Sequence, residues 1–200
     1  MSFDSILRSH FADAAHWHGR HGHAADGIRD IGVDEWRSYY TFGFVRNPWD
    51  RLVSWYSMIE KRRKKLSFFR RRRRDPFEFK LWNEVVEKAT DFDSFIDTCT
   101  DVIFDNGCYK SFAFNQIDYL ADAAGRPIVD FVGRFETLEA DAAEIFRRLG
   151  IRDVELPRRN PSSHSHYSEW YNDRTREIVA KRFARDISTF GYSFDRPDPG

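Results

Sequence analysis

Apolar positions along the chain fall into two rhythms. Phe3, Ile6, Leu7, Phe11, Ala14 and Ala15 recur at helical spacing and predict an amphipathic helix over residues 3–17, with Ser2 and Asp4 as start signals. Gly27 and Gly32 bracket a short helical piece, and Asp34 suits a cap on the turn leading to Tyr39. Tyr39 to Val45 is an unbroken aromatic and β-branched run, which predicts a buried strand. Arg46-Asn47-Pro48 ends it. Pro48 cannot donate to a ladder but suits the first turn of a helix, and Asn47 can cap that helix. Trp49, Leu52, Val53, Trp55, Tyr56 and Ile59 then return to helical spacing.

The rhythm repeats further on. Helices are predicted over residues 77–89, opened by Pro76, and over residues 92–99, capped by Thr90-Asp91. Residues 101–111, around Asn106-Gly107, read as a turn or loop. Ile128 to Gly133 is a second buried-strand pattern, followed by a helix over residues 138–149 with Gly150 as its stop. Residues 157–168 read as a polar loop, and a last helix spans residues 169–187. The expected fold is α/β in a single domain of residues 1–200, with a mobile basic insert at 61–75 and a tail at 195–200. No internal repeat is visible.

Composition narrows the class. The 200 residues are 41% hydrophobic and 16% aromatic, which marks a globular chain able to bury a core. Formal net charge is zero, so charge says nothing about partners. Cys99 and Cys108 are too few for a disulfide framework. No apolar run approaches the roughly 18 residues of a membrane span, and residues 1–21 lack a signal-peptide pattern. A soluble, cytoplasmic chain is expected.

Three stretches carry candidate chemistry. Arg46 sits at the C-terminal end of a strand, where open α/β sheets bind ligands, and Ser54 follows eight residues later on a helix. A cation and a hydroxyl at a strand–helix junction suit a phosphate, because the helix N-terminus adds N–H donors. A surface arginine on an ordinary strand–turn–helix fits the spacing equally. The histidine-rich stretch of His16, His18, His21 and His23, with His10 further back, has no cysteine or carboxylate nearby at ligand spacing, so no metal site is expected. Lys61 to Arg74 holds ten basic residues. A solvated run, an acidic-glycan contact and a nucleic-acid contact all fit it, the last being disfavoured.

The residues of the first stretch are more specific than their spacing. R-x-P-x-x-R-x-x-S-x-Y, here Arg46, Pro48, Arg51, Ser54 and Tyr56, resembles the 3′-phosphate-binding segment of sulfotransferases. The whole phrase FGFVRNPWDRLVSWY is similar to the carbohydrate (family 2) branch. Arg134-Phe135-Glu136 after the second strand resembles that branch's G-R-F-E-x-L segment, and Phe190 to Phe194 its closing phrase. The resemblance implies a three-layer, P-loop-type parallel sheet flanked by helices. It implies transfer of a sulfuryl group from 3′-phosphoadenosine 5′-phosphosulfate (PAPS) to a hydroxyl of a carbohydrate or other acceptor, with no metal. It assigns Arg46, Ser54, Arg51, Arg134, Asn160 and Ser162 to the donor and Gln116, Tyr119 and Glu136 to the acceptor side. His23, or alternatively His21, is the catalytic base, a role that suits an imidazole.

The family's second donor motif, P-K-x-G-x-T-S, is missing from these residues. The first strand and P-loop are expected upstream of Met1, through a misassigned or truncated start, a degraded copy, or a chain that kept binding and lost catalysis. Loss of a central strand exposes ladder edges, which favours the first two. Weak or absent activity is the expectation for this length of chain. The alternative class is a basic module binding nucleic acid or an acidic glycan through residues 61–74. A P-loop kinase relative is disfavoured by the lack of a G-K-S/T loop.

Overall fold

The structure is a computed structural model, and it describes residues 3–14, 22–69, 79–105, 107–154 and 165–195, with backbone alone for 65–69. The expected alternate base His21, the donors Asn160 and Ser162, and residues 70–74 of the basic run lie outside the described residues. In chain order the helices are α1 (Phe3–His10), α2 (Ala24–Ile31), α3 (Val33–Ser38), α4 (Pro48–Phe69), α5 (Lys80–Lys88), α6 (Phe92–Thr98), α7 (Ile117–Leu120), α8 (Leu138–Arg148), α9 (Asp173–Arg182) and α10 (Ala184–Phe190). The strands are β1 (Phe42–Val45), β2 (Ile103–Asp105), β3 (Cys108–Lys110) and β4 (Phe131–Arg134). The fold is α/β.

Two compact units emerge. The described residues of Met1–Arg46 and Asp118–Ser163 form one, and those of Asn47–Ile117 and His164–Arg196 the other.

The first unit is built on β1 and β4, the two strands predicted from their apolar runs. They pair in parallel, with Phe42 opposite Phe131 and Val45 opposite Arg134. Asp130 fixes this register: one carboxylate oxygen accepts from both the Thr41 N–H (2.7 Å) and the Thr41 hydroxyl (2.8 Å). Among the described residues the parallel sheet has these two strands, smaller than the three-layer sheet expected. Its strands approach their neighbours closely. A Cβ on Gly133 would stand 2.6 Å from Phe44 Cε1, and one on Gly43 would stand 2.4 Å from Leu120 Cδ2. Phe3 lies against Phe42, Phe44 and Phe146, with ring centroids 5.2–5.7 Å apart, so α1 covers β1 and α8. Ile6, Ala142, Phe146 and Ile151 form the buried centre. The helix expected over residues 3–17 ends at His10, and residues 15–17 lie outside the described residues.

The second unit is mostly helical around Trp49, Leu52, Val53, Tyr56 and Ile59 of α4, the apolar positions picked out by their spacing. Its N-terminus is clamped. The Asn47 side chain accepts from Trp49 N–H (3.1 Å) and donates to the Ser193 carbonyl (3.3 Å), while the Tyr167 hydroxyl donates to the Phe194 carbonyl (2.7 Å). The Phe194 ring packs edge-on against Trp49, Tyr167 and Tyr171. The phrase at 190–194 is therefore the lock on the start of α4.

Three local expectations change. The basic run was expected as an insert from residue 61; α4 instead continues for 22 residues to Phe69. Straight-chain Lys and Arg are good helix formers. Arg63 also pairs with Glu60 at 3.0 Å and donates to the Ala89 carbonyl, and Arg62 sits over the Trp82 ring. Within residues 101–111, expected as a turn or loop, Ile103–Asp105 and Cys108–Lys110 pair antiparallel as β2 and β3. The last helix is broken: a 3-10 turn at Tyr167–Trp170, then α9, then α10, with the break at Phe183. Asn172 starts α9 as a capping box with Thr175, and that internal start is why the single predicted helix divides.

A buried carboxylate anchors the strand-free segment before α7. Asp186 on α10, fully buried, accepts from Gln116 N–H (2.8 Å), Ile117 N–H (2.9 Å) and Gln116 Nε2 (3.3 Å).

Candidate functional site

β1 runs directly into α4 through Arg46 and Asn47. Within the first unit, Arg46 closes β1 and its guanidinium lies 4.2 Å from the centre of the Phe135 ring. Phe135 follows β4, and its N–H donates to the Val45 carbonyl at 2.8 Å. The parallel pairing of β1 with β4 thus delivers Arg46, Arg134 and Phe135 to one end of the sheet. That is the carboxyl end, where open α/β sheets take ligands. The cation–π contact is worth about 0.5–1 kcal/mol at an exposed site, and Phe135 is 47% exposed. It fixes a charge near the surface.

Arg134 is half-buried. Its backbone N–H donates to Asp141 Oδ2 at 2.6 Å, and the Thr137 hydroxyl joins the same oxygen at 2.8 Å. Asp141 therefore shapes the turn that carries Arg134, Phe135 and Glu136, the last of these half-buried.

His23 is the N-cap residue of α2, and it is half-buried. Its Nδ1 lies 3.0 Å from the Asp118 carbonyl oxygen, and its ring packs on Tyr119 with centroids 4.6 Å apart. A carbonyl oxygen only accepts, so Nδ1 carries the hydrogen and Nε2 the lone pair. The arrangement can act as a general base through Nε2. Tyr119, expected on the acceptor side, is the ring that holds the imidazole's face.

In the second unit the expected residues separate into two kinds. Ser54 is half-buried on α4, about two turns from its start. Arg51 is buried, only 8% exposed. It donates to the Phe114 carbonyl at 3.0 Å and lies 4.1 Å from the Trp55 ring centre. Those surroundings make Arg51 an internal tie between α4 and the segment before α7. Gln116 is likewise buried and bound to Asp186, as described above. The resemblance placed Arg51 on the donor and Gln116 on the acceptor side, but their partners here stand far along the chain.

Three participants were not singled out as site residues by the sequence: Phe135 beneath Arg46, the Asp118 carbonyl on His23, and Asp141 under Arg134. Phe135 lay inside a phrase already noted. The Asp118 carbonyl is backbone and carries no side-chain signal. Among the described residues no group of three or more His, Cys, Asp or Glu could hold a metal, and no helix is long and apolar enough to cross a membrane.

No curated protein and no solved structure matches the chain. A family model does, over residues 18–193, and its description is "Sulfotransferase family". That span takes in His23, the β1–α4 junction, the β4 turn and the lock at Ser193. With most of its length matched, the chain belongs to the sulfotransferase family, as a family 2 sulfotransferase, and is a transferase of sulfuryl groups.

Proposed function

We propose that the donor is PAPS and the acceptor a carbohydrate hydroxyl. PAPS, when bound, supplies an activated sulfuryl group and a 3′-phosphate by which it can be held. The residues fit such an anion: Arg46 presents a guanidinium at the carboxyl end of β1, backed by an aromatic face. In this reading Arg46 and Ser54 bind the 3′-phosphate, the spacing of the β1–α4 phrase being the support. Arg134, Asn160 and Ser162 add donors, and Arg51 serves the site by holding α4. Tyr119 and Glu136 stand on the acceptor side, and Gln116 braces the segment that leads to Tyr119.

The observation that carries the catalytic assignment is the His23–Asp118 bond. It holds the imidazole in the tautomer whose Nε2 can take the acceptor's proton as the hydroxyl attacks. Its neighbour Tyr119 keeps the ring from turning.

Titration with 3′,5′-adenosine bisphosphate tests the donor half. Arg46→Ala should weaken binding about 10- to 100-fold, the scale of one charge-assisted hydrogen-bonding group. His23→Ala should leave that affinity unchanged and lower sulfuryl transfer by about 10²- to 10⁴-fold. Equal bisphosphate affinity in the wild type and Arg46→Ala would falsify the phosphate assignment. For the acceptor, transfer of radiolabelled sulfate to a polysaccharide panel is compared with transfer to simple phenols. Faster labelling of phenols overturns the carbohydrate reading.

A further inference from the structure

The Asp118 carbonyl that holds the His23 imidazole is backbone, so its place depends on whatever fixes α7. Which ring nitrogen carries the hydrogen is set by the bond the ring makes. A neutral imidazole free in water favours Nε2–H; the bond at Nδ1 reverses that and leaves Nε2 able to accept. The bond lasts only while α2, which starts at His23, keeps its spacing from the turn carrying Asp118 and Tyr119. His23 and Asp118 are 95 positions apart, so chain continuity does not set that spacing.

Trp36 on α3 spans the gap. On one side its ring lies against Gly27, a buried residue of α2: a Cβ on Gly27 would stand 2.2 Å from Trp36 Cζ3 and 2.9 Å from Cε3. A residue without a side chain lets the indole close onto the helix backbone. On the other side the indole N–H donates to the Ile128 carbonyl at 3.2 Å. The Ile128 N–H in turn donates to the carbonyl of Leu120, the last residue of α7, at 2.8 Å. The loop between them is closed on itself. Ala121 is bridged to Pro127, and the Asp122 N–H donates to the Arg126 carbonyl at 2.9 Å. The contacts therefore make a ring that runs from His23 through α2, Trp36, Ile128, Leu120 and Asp118 back to His23 Nδ1. Every residue named in it belongs to the first unit.

We propose that Trp36 is a positioning residue for His23: it ties α2 to the loop over residues 120–128 and so keeps the Asp118 carbonyl on Nδ1. The inference rests on His23 as the base of the proposed reaction. Trp36 acts through backbone groups, so its loss moves the imidazole's hydrogen and leaves the donor-binding arginine alone.

Nitrogen NMR of the full chain with isotope-labelled histidine tests it. At about pH 9, where an ordinary imidazole is neutral, the spectrum reads the ratio of Nδ1–H to Nε2–H and needs no turnover. The spectrum of His23→Gln assigns the signal. Trp36→Phe keeps a ring and loses the N–H, while Gly27→Ala pushes the indole from its other side. The Nδ1–H form should dominate in the wild type. Each variant should lower the ratio about two- to tenfold, the scale of one neutral hydrogen bond. Each should lower kcat for sulfuryl transfer by the same factor, with KM for the donor and 3′,5′-adenosine bisphosphate affinity unchanged. Ile6→Val, which loosens the buried centre of the same unit, should leave the ratio at its wild-type value. Gly27→Ala decides alone if Trp36→Phe does not fold. Wild-type ratios in these variants overturn the proposal, as does an equal shift in Ile6→Val; loss of transfer in His23→Gln then still upholds the base. A lowered ratio in Trp36→Phe and Gly27→Ala, with full transfer in His23→Gln, upholds the tie and overturns the base instead.

Discussion

Replacing Asp186 by alanine removes the acceptor of three hydrogen bonds at once. Gln116 N–H, Ile117 N–H and Gln116 Nε2 all end on its carboxylate at 2.8–3.3 Å, and the side chain is fully buried. A buried donor left without an acceptor costs about 1–3 kcal/mol. The lost carboxylate also relieves its own desolvation, which offsets part of the sum. We expect a net loss of about 3–5 kcal/mol, a large share of a typical stability of about 5–15 kcal/mol. Asp186→Asn keeps one acceptor oxygen but turns an NH₂ toward a donor, so a smaller loss of about 2–3 kcal/mol is expected. Urea unfolding followed by circular dichroism measures both. With a slope of about 2 kcal/mol/M, the alanine variant's midpoint should fall by about 1.5–2.5 M. The slope itself should not change. A loss under about 1 kcal/mol would refute the reasoning, because desolvation would then cancel the three bonds.

Three other outcomes are expected. Burial pushes the Glu84 carboxyl above its ordinary value of 4.5, and its Oε2 is buried without a partner. A raised folded value contributes stability that is complete below 4.5 and lost as pH rises through the raised value; wild-type melting temperature should show that fall, and Glu84→Gln should lack it. Gly133→Ala places a methyl 2.6 Å from Phe44 Cε1 and should cost about 1–3 kcal/mol in urea unfolding, an effect that disappears if Phe44 can swing aside. Phe135→Leu removes the ring beneath Arg46 and should weaken 3′,5′-adenosine bisphosphate binding about two- to fivefold; unchanged affinity would show that the ring does not place the guanidinium.

Much of the scaffold was legible because its signals are local. The run Tyr39–Val45 contained β1, Pro48 opened α4, and Asp91 with Ser94 closed a capping box before α6. Gly150 and Gly191 take positive φ where helices stop, at 70° and 69°. The β2–β3 pair hid because each strand is three residues long and one face mixes Ile103 and Cys108 with Asp105 and Lys110 while Phe104 and Tyr109 face outward, so no clean alternation marks it. Gln116 and Arg51 were legible as polar residues in meaningful phrases, but their roles depend on Asp186 and Phe114, which lie 70 and 63 positions away. At the site, Arg46 and His23 were visible from their phrases. What steadies them was not: a backbone carbonyl at Asp118 and a ring at Phe135, joined to them only by the fold.

The lock on α4 sets a timetable for synthesis. Asn47 and the Ser193 carbonyl that its side chain holds are 146 positions apart. A ribosome adding about 5–20 residues per second reaches that carbonyl roughly 7–30 s after making the helix start. Until then the junction following Arg46 lacks its clamp, and the ring of Phe194 has yet to cover Trp49. The parallel pairing of β1 with β4, some 89 positions apart, can close earlier. A nascent chain therefore completes its sheet first and fastens the start of α4 last. Stalling before residue 193 leaves a chain with both strands and an unfastened start of α4.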